Sequence, residues 1–154
     1  MPIRIKKLNF KGNMKEYYQK LDSLIKDTDN KDIKIFFQRI NDESKFLKEK
    51  TKNDIFIATN GTNTILGYVH GHKLCSNPPY YTSNYIYVSE QERKKNIGFK
   101  LKTAQITHAR SIGIETITTT IKLDNKASIA LHEKLGAIFN YNPVCKKYAV
   151  DIDT

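Results

Sequence analysis

Arg93-Lys94-Lys95-Asn96-Ile97-Gly98 sets three cations, an asparagine and a glycine where a β-rich run gives way to a helical pattern. These residue types suit an anion seat. N–H groups in a helix's first turn lack intrahelical acceptors, and the macrodipole adds partial positive charge at that end. Gly98 carries no Cβ to hold phosphate oxygens away from the backbone. Asn96 tolerates left-handed dihedrals and can shape a tight turn. Arg93, Lys94 and Lys95 can add charge-assisted bonds to the same oxygens. The competing reading is a solvated basic turn. Neither GxxxxGK[ST] nor GxGxxG occurs, so the nucleotide loops with those signatures are excluded.

A second polar group lies downstream. Asp124 and Asn125 precede apolar residues at helical spacing, so either side chain can cap that helix. Within it, Ile129 and Leu135 place His132 toward the apolar side. It stands there either as a buried, hydrogen-bonded histidine or as a proton carrier, its ordinary pKa being about 6.5. His70 and His72 share one face of a β-rich run with Tyr68. No further ligands converge on them in the sequence, so no metal site is expected. Cys75 and Cys145 lack CxxC spacing and give neither a disulfide framework nor a zinc site.

The elements that must position these groups follow from periodicity. Residues 3–8 partly alternate and suit a short strand. Met14, Tyr17, Tyr18, Leu21, Leu24 and Ile25 recur at helical spacing, and so do Ile33, Phe36, Phe37, Ile40 and Leu47. "DIFIAT" and "TILGYVHGHKL" flank Asn60-Gly61 as a hairpin. "CSNPPYYTS" reads as a loop and "NYIYVS" as a strand ending at Ser89. A helix starts at about Ile97, with Leu101, Ala104, His108 and Ile112 on one face, and Gly113 stops it. "IETITTTIK" is β-rich, the helix after Asn125 closes at Gly136, and "AIFNYN" and "CKKYAVDI" finish as strands. The order β, α, α, β, β, β, α, β, α, β, β implies an α/β (α+β) fold with a mixed sheet and helices on its faces.

At 154 residues, one domain spanning 1–154 is expected. Hydrophobic content of 39% and charged content of 27% are ordinary for a globular chain. No apolar run is long enough to cross a bilayer, and MPIRIKKLNFKG has no apolar signal core, so no membrane partner and a cytoplasmic location are expected. The net charge of +10 invites a nucleic-acid reading. Its lysines are spread along the whole chain without a helix-turn-helix or aromatic RNA-binding signature, which weighs against that partner.

The segment Arg93 to Gly98 resembles the acyl-CoA signature of the GNAT superfamily of N-acetyltransferases, [Q/R]-x-x-G-x-[G/A], with Asn96 in place of the first glycine. "DNKASIALHEKLGAIF" is similar to the family's second signature, N-x-x-[A/S]-x-x-L-Y-x-K-x-G-F. It runs through Asn125, Ser128, Leu131, His132, Lys134 and Gly136, with Ala137 replacing the usual aromatic. The resemblance implies a GNAT-like, mostly antiparallel central sheet of about seven strands flanked by about four helices. It also implies acetyl-CoA as acyl donor, no metal, and a primary amine acceptor on a small molecule or a protein.

Further expectations come with the resemblance. The strand before the basic turn and the next strand part at a bulge, and the pantetheine arm lies between them on main-chain groups of Ile86, Tyr87 and Val88. The pyrophosphate lies on N–H groups from Lys94 to Phe99, and Asn125 bonds the arm near the thioester. His132 stands where the family carries a tyrosine that protonates the leaving thiolate, and Tyr87 is a second candidate there. The usual positions of a carboxylate base hold Asn84, Tyr85 and Thr120, which leaves Glu90 as an alternative base. Related folds pair through their last strands, so a homodimer stays open. The rival readings are a noncatalytic acyl-CoA-binding module and a basic nucleic-acid-binding domain.

Overall fold

The computed structural model describes residues 2–7, 51–61, 65–74 and 79–154. The two amphipathic helices expected between Met14 and Leu47 lie outside them. Seven strands, β1 (Arg4–Lys7), β2 (Thr51–Thr59), β3 (Ile65–Leu74), β4 (Tyr80–Val88), β5 (Thr116–Lys122), β6 (Ile138–Asn142) and β7 (Lys147–Asp153), form one sheet in the order β1-β2-β3-β4-β5-β7-β6. Helix α1 (Ile97–Ser111) joins β4 to β5, and α2 (Lys126–Lys134) joins β5 to β6. Every pair of described strands is antiparallel except β4 with β5. The mixed, mostly antiparallel sheet expected from the sequence is therefore present.

β4 begins earlier than the sequence suggests. Tyr80, Tyr81 and Thr82, read above as loop, pair with Leu74, Lys73 and His72. Pro79 lacks an N–H and so ends the loop without barring a ladder from starting at the next residue, and the β-prone tyrosines and threonine take it up. Tyr81 is buried against Ile117, Ile114 and Ile152.

α1 packs on the sheet through two clusters. Its first half sets Ile97 and Leu101 on Phe56, Ala58 and Val69, with Ile86 and Val88 alongside. Its second half sets Ala109 on Ile114, Ile117 and Ile152, with Leu135 from the end of α2 nearby. Gly113 ends the helix at φ 85°, and Ile114 returns its N–H to the Ala109 carbonyl at 2.9 Å. The same buried face carries two polar residues, Lys102 and Gln105. Gly71 makes room for one of them, because a Cβ there would lie 2.6 Å from Gln105 Nε2 and 2.7 Å from the Tyr81 hydroxyl.

Candidate functional site

β4 and β5 form a fork. They pair only at Tyr81–Ile117 and Thr82–Thr118. Past that point β4 follows β3 while β5 follows β7, so each keeps an inner edge that no other described strand pairs. The parting coincides with a bulge, where His70 faces Tyr85 but Gly71 faces Ser83, leaving Asn84 as the extra residue. An extra residue bends its strand and increases the local twist, which turns β4 away from β5. Beyond the bulge, Ile86 and Val88 face α1, and Tyr87 between them faces the opposite side, 6.2 Å from the Tyr68 ring.

The basic turn sits at the open end of this fork. Glu92 and Arg93 close a short 3-10 turn onto the Ser89 and Glu90 carbonyls. Lys94 and Asn96 both take left-handed backbone, with φ 67° and 61°, so Asn96 does here what its residue type allows. The first helical bond runs from Lys100 N–H to the Asn96 carbonyl at 3.0 Å. The N–H groups between Arg93 and Lys100 thus form the donor-rich start of α1. Gly98 is not required by the chain's own packing: a Cβ there would meet Leu131 and Ile86 at 3.5 and 3.7 Å, ordinary contact distances.

Charge gathers at the same place, though not every expected cation is free. Arg93 spends its Nε on the Val88 carbonyl at 3.1 Å, with its guanidinium 5.8 Å from the Tyr87 ring centre. Lys95 pairs with Glu92 at 2.8 Å. Lys134, which the reading of the turn alone misses, reaches in from α2. Its Nζ donates to Asn96 Oδ1 at 3.1 Å and lies 4.4 Å from the Phe99 ring centre. Its place in the Asn125–Gly136 segment is the sequence signal for it. A cation held at the positive end of a helix is unfavourable alone and favourable with an anion between them.

Asn125 caps α2, its Oδ1 accepting from Ser128 N–H at 3.1 Å. One turn later, buried His132 sets Nδ1 2.7 Å from the Ser128 carbonyl. A carbonyl only accepts, so the proton is on Nδ1 and Nε2 carries a lone pair. That Nε2 is buried without a hydrogen-bond partner among the described residues. Burial, then the Lys102 charge, push the ring's pKa down to about 4, while the Ser128 carbonyl pulls it up.

Lys102 is the residue the sequence gives least warning of. It is 1% exposed, and its Nζ donates to Ser83 Oγ at 2.6 Å and to Gln105 Oε1 at 3.4 Å. Burial pushes its pKa down to about 7. Ser83 is the first β4 residue past the last pair with β5, so this ammonium stands at the apex of the fork.

The other expected groups lie apart from that apex. Glu90 is exposed in the 3-10 turn and Thr120 is exposed on β5. His70 and His72 stack at 6.2 Å between ring centres, and burial with the His72 charge pushes His70 down to about 3. By strand alternation they share Tyr87's face, opposite Lys102. His108 faces Asp54 at 3.2 Å, and Asp54 also takes the Tyr81 hydroxyl at 3.0 Å and Lys7 at 3.3 Å.

The sequence model of the acetyltransferase (GNAT) family matches residues 17–137. A 51-residue segment is 39% identical to an L-methionine sulfoximine/L-methionine sulfone acetyltransferase of Pseudomonas paraeruginosa, covering 33% of this chain and 30% of that protein. The fold is similar to that of a GNAT-family protein from Desulfovibrio desulfuricans, with TM-score 0.80, 9% identity and 99% of both chains covered. It is also similar to PaiA N-acetyltransferase of Thermoplasma acidophilum in complex with coenzyme A, with TM-score 0.73, 15% identity and 100% of both chains covered. With a forked β4–β5 pair, a left-handed entry into α1 and a family match across most of its length, the chain belongs to the GNAT acetyltransferase family.

Proposed function

We propose that the chain is an acetyl-CoA-dependent N-acetyltransferase that moves the acetyl group to a primary amine by direct attack in a ternary complex. The observation that carries this is the fork itself: an inner edge of β4 that no other described strand pairs and that runs directly into the donor-rich start of α1. An extended amide-bearing arm fits such an edge as an added strand, and a diphosphate fits the helix start beyond it. When bound, acetyl-CoA supplies the activated acyl carbon and a thiolate leaving group.

The chain's own residues then divide the work. Main-chain groups of Ile86, Tyr87 and Val88 hold the arm, and N–H groups from Lys94 to Phe99, with Lys134, hold the phosphates. Arg93 fixes the end of β4 to the turn through the Val88 carbonyl. Asn125 keeps its amide N–H groups for the arm while its Oδ1 caps α2. β4 N–H donors polarise the acyl carbonyl, as preorganised dipoles do. His132 turns its Nε2 lone pair to the sulfur's place and accepts a hydrogen bond from the thiol once it has formed. The acceptor amine enters from the face that carries Tyr68, His70 and Tyr87, and positioning both reactants supplies much of the rate.

Calorimetry with coenzyme A, followed by acetyl transfer to a panel of amines, tests this. L-methionine sulfone and sulfoximine head the panel because the curated relative is named for them; a polyamine, an aminoglycoside and a peptide N-terminus complete it. Absence of coenzyme A binding overturns the reading. Binding without transfer to any amine leaves a noncatalytic acyl-CoA-binding module.

A further inference from the structure

We propose that Lys102 is the general acid that protonates the sulfur leaving group. This rests on the function proposed above and adds to it the group that the expected acid–base positions lack. Three observations place Lys102 there. Its Nζ lies on Ser83, where β4 and β5 part. It stands within electrostatic reach of His132, on the face of the sheet that also carries α1. And the two groups leave complementary capacity: among the described residues His132 Nε2 is a buried acceptor without a partner, while a lysine ammonium has three protons, of which Ser83 and Gln105 take two. A group that must first accept a proton and then donate a hydrogen bond, as a departing sulfur does, satisfies both.

His132 alone does not meet this need. Its single ring proton is committed to the Ser128 carbonyl, and burial beside Lys102 keeps the ring neutral at pH 7. An ammonium brought down to about 7 is more acidic than an ordinary thiol, at about 8.5, so its proton passes downhill to the sulfur. The step balances. The amine nitrogen forms a bond to the acyl carbon, the carbon–sulfur bond breaks with its electron pair on sulfur, and Lys102 Nζ gives that sulfur a proton. The amine's surplus proton leaves to water on the acceptor face, and neutral Lys102 regains one from water when the thiol departs.

Among the described residues, the charged and titratable groups around Lys102 are few. His132 faces it from α2, Ser83 and Gln105 bond it from β4 and α1, and Tyr81 and Asp54 lie beyond Gln105 on the sheet. Burial, and then the Asp54 charge, push the Tyr81 hydroxyl upward, so it stays neutral in the working range.

The experiment compares the pH profile of acetyl transfer, and calorimetric binding of coenzyme A, in the wild-type chain and in Lys102→Met. In the wild type kcat should fall above about pH 7, as the acid loses its proton. In Lys102→Met calorimetric affinity should change by less than about threefold, because the anion seat is untouched. With L-methionine sulfone, or whichever panel amine is accepted, kcat should fall about 100-fold or more in Lys102→Met while KM for acetyl-CoA is little changed. The alkaline fall of the wild-type profile should disappear. A wild-type kcat that holds level from about pH 7 to 9 overturns the proposal, even if Lys102→Met does not fold. So does a Lys102→Met protein that keeps wild-type kcat and pH profile. Failure of the wild type to bind coenzyme A overturns the function reading instead.

Discussion

Lys134 on α2 donates to the side-chain carbonyl of Asn96, at the left-handed entry to α1, across 3.1 Å. The contact brings the two segments that carry the family's signatures into one rim. It also parks a cation where the helix start already repels one. An anion at that rim resolves both charges. Lys134→Ala should therefore weaken coenzyme A binding about 3- to 10-fold. The loss measured by calorimetry should shrink as salt is raised. An affinity unchanged at low salt would place the diphosphate elsewhere.

Asn96 itself carries a backbone constraint. At φ 61° a β-branched side chain is strained, whereas glycine is not. Asn96→Val should lower stability by roughly 1–2 kcal/mol. Asn96→Gly should keep the fold, and denaturant midpoints of the two variants make the comparison.

Lys102 sets a stability cost with a definite pH signature. Its pKa is about 7 in the folded chain against an ordinary 10.5, so below pH 7 both states hold the proton and the native state bears the full cost. That cost is on the order of 5 kcal/mol. Between about 7 and 10.5 the unfolded chain binds more protons, and wild-type stability rises with pH. Lys102→Met should thus stabilise most below pH 7 and progressively less toward pH 10, as read by urea unfolding at several pH values. A stabilisation independent of pH would mean that the ammonium is not desolvated.

His132 and His70 act on the acid side. Both are held neutral, His132 at about 4 and His70 at about 3, against an ordinary 6.5. From pH 6.5 downward the unfolded chain protonates them first, so stability falls with acid. His132→Phe should flatten the part of that fall between about 6.5 and 4. Thermal midpoints taken across that range carry the test.

Gly67 lies where β3 backs the arm-holding part of β4. A Cβ there would sit 2.7 Å from the Tyr87 carbonyl oxygen, a backbone atom that cannot swing aside. Gly67→Ala should cost about 1–3 kcal/mol by overpacking. It should also weaken coenzyme A binding by displacing β4, which calorimetry would register.

Much of this was legible in the residues. Asn60-Gly61 marked the β2–β3 turn, Gly113 and Gly136 marked helix ends that take positive φ, and Asn125 marked the α2 cap that it makes. Local conformation depends on local side chains, so these signals were sufficient. The burial of Lys102 was not legible, because a lysine next to Leu101 on a basic chain reads as solvated. Its environment is made by Ser83 and Gln105, the former 19 positions away. The end of β4–β5 pairing after Thr82 was equally hidden, since it depends on which partner each strand prefers and not on either strand's own pattern. The start of β4 at Tyr80 lies inside the stretch whose residue types suit a loop, because Pro79 ends that loop without barring a ladder from the next residue.

The fork has a mechanical meaning as well. Across the middle of the sheet, among the described residues, strands β1 to β4 pair with β5, β7 and β6 at just two positions, with α1 as a strap spanning the seam. The sheet is in effect two half-shells on a short hinge. A guest strand lying in the seam would knit them along a much longer line. Amide exchange in Ile86–Val88 and Thr119–Ile121 should then slow together on loading, from opposite sides of a gap that no described ladder hydrogen bond crosses.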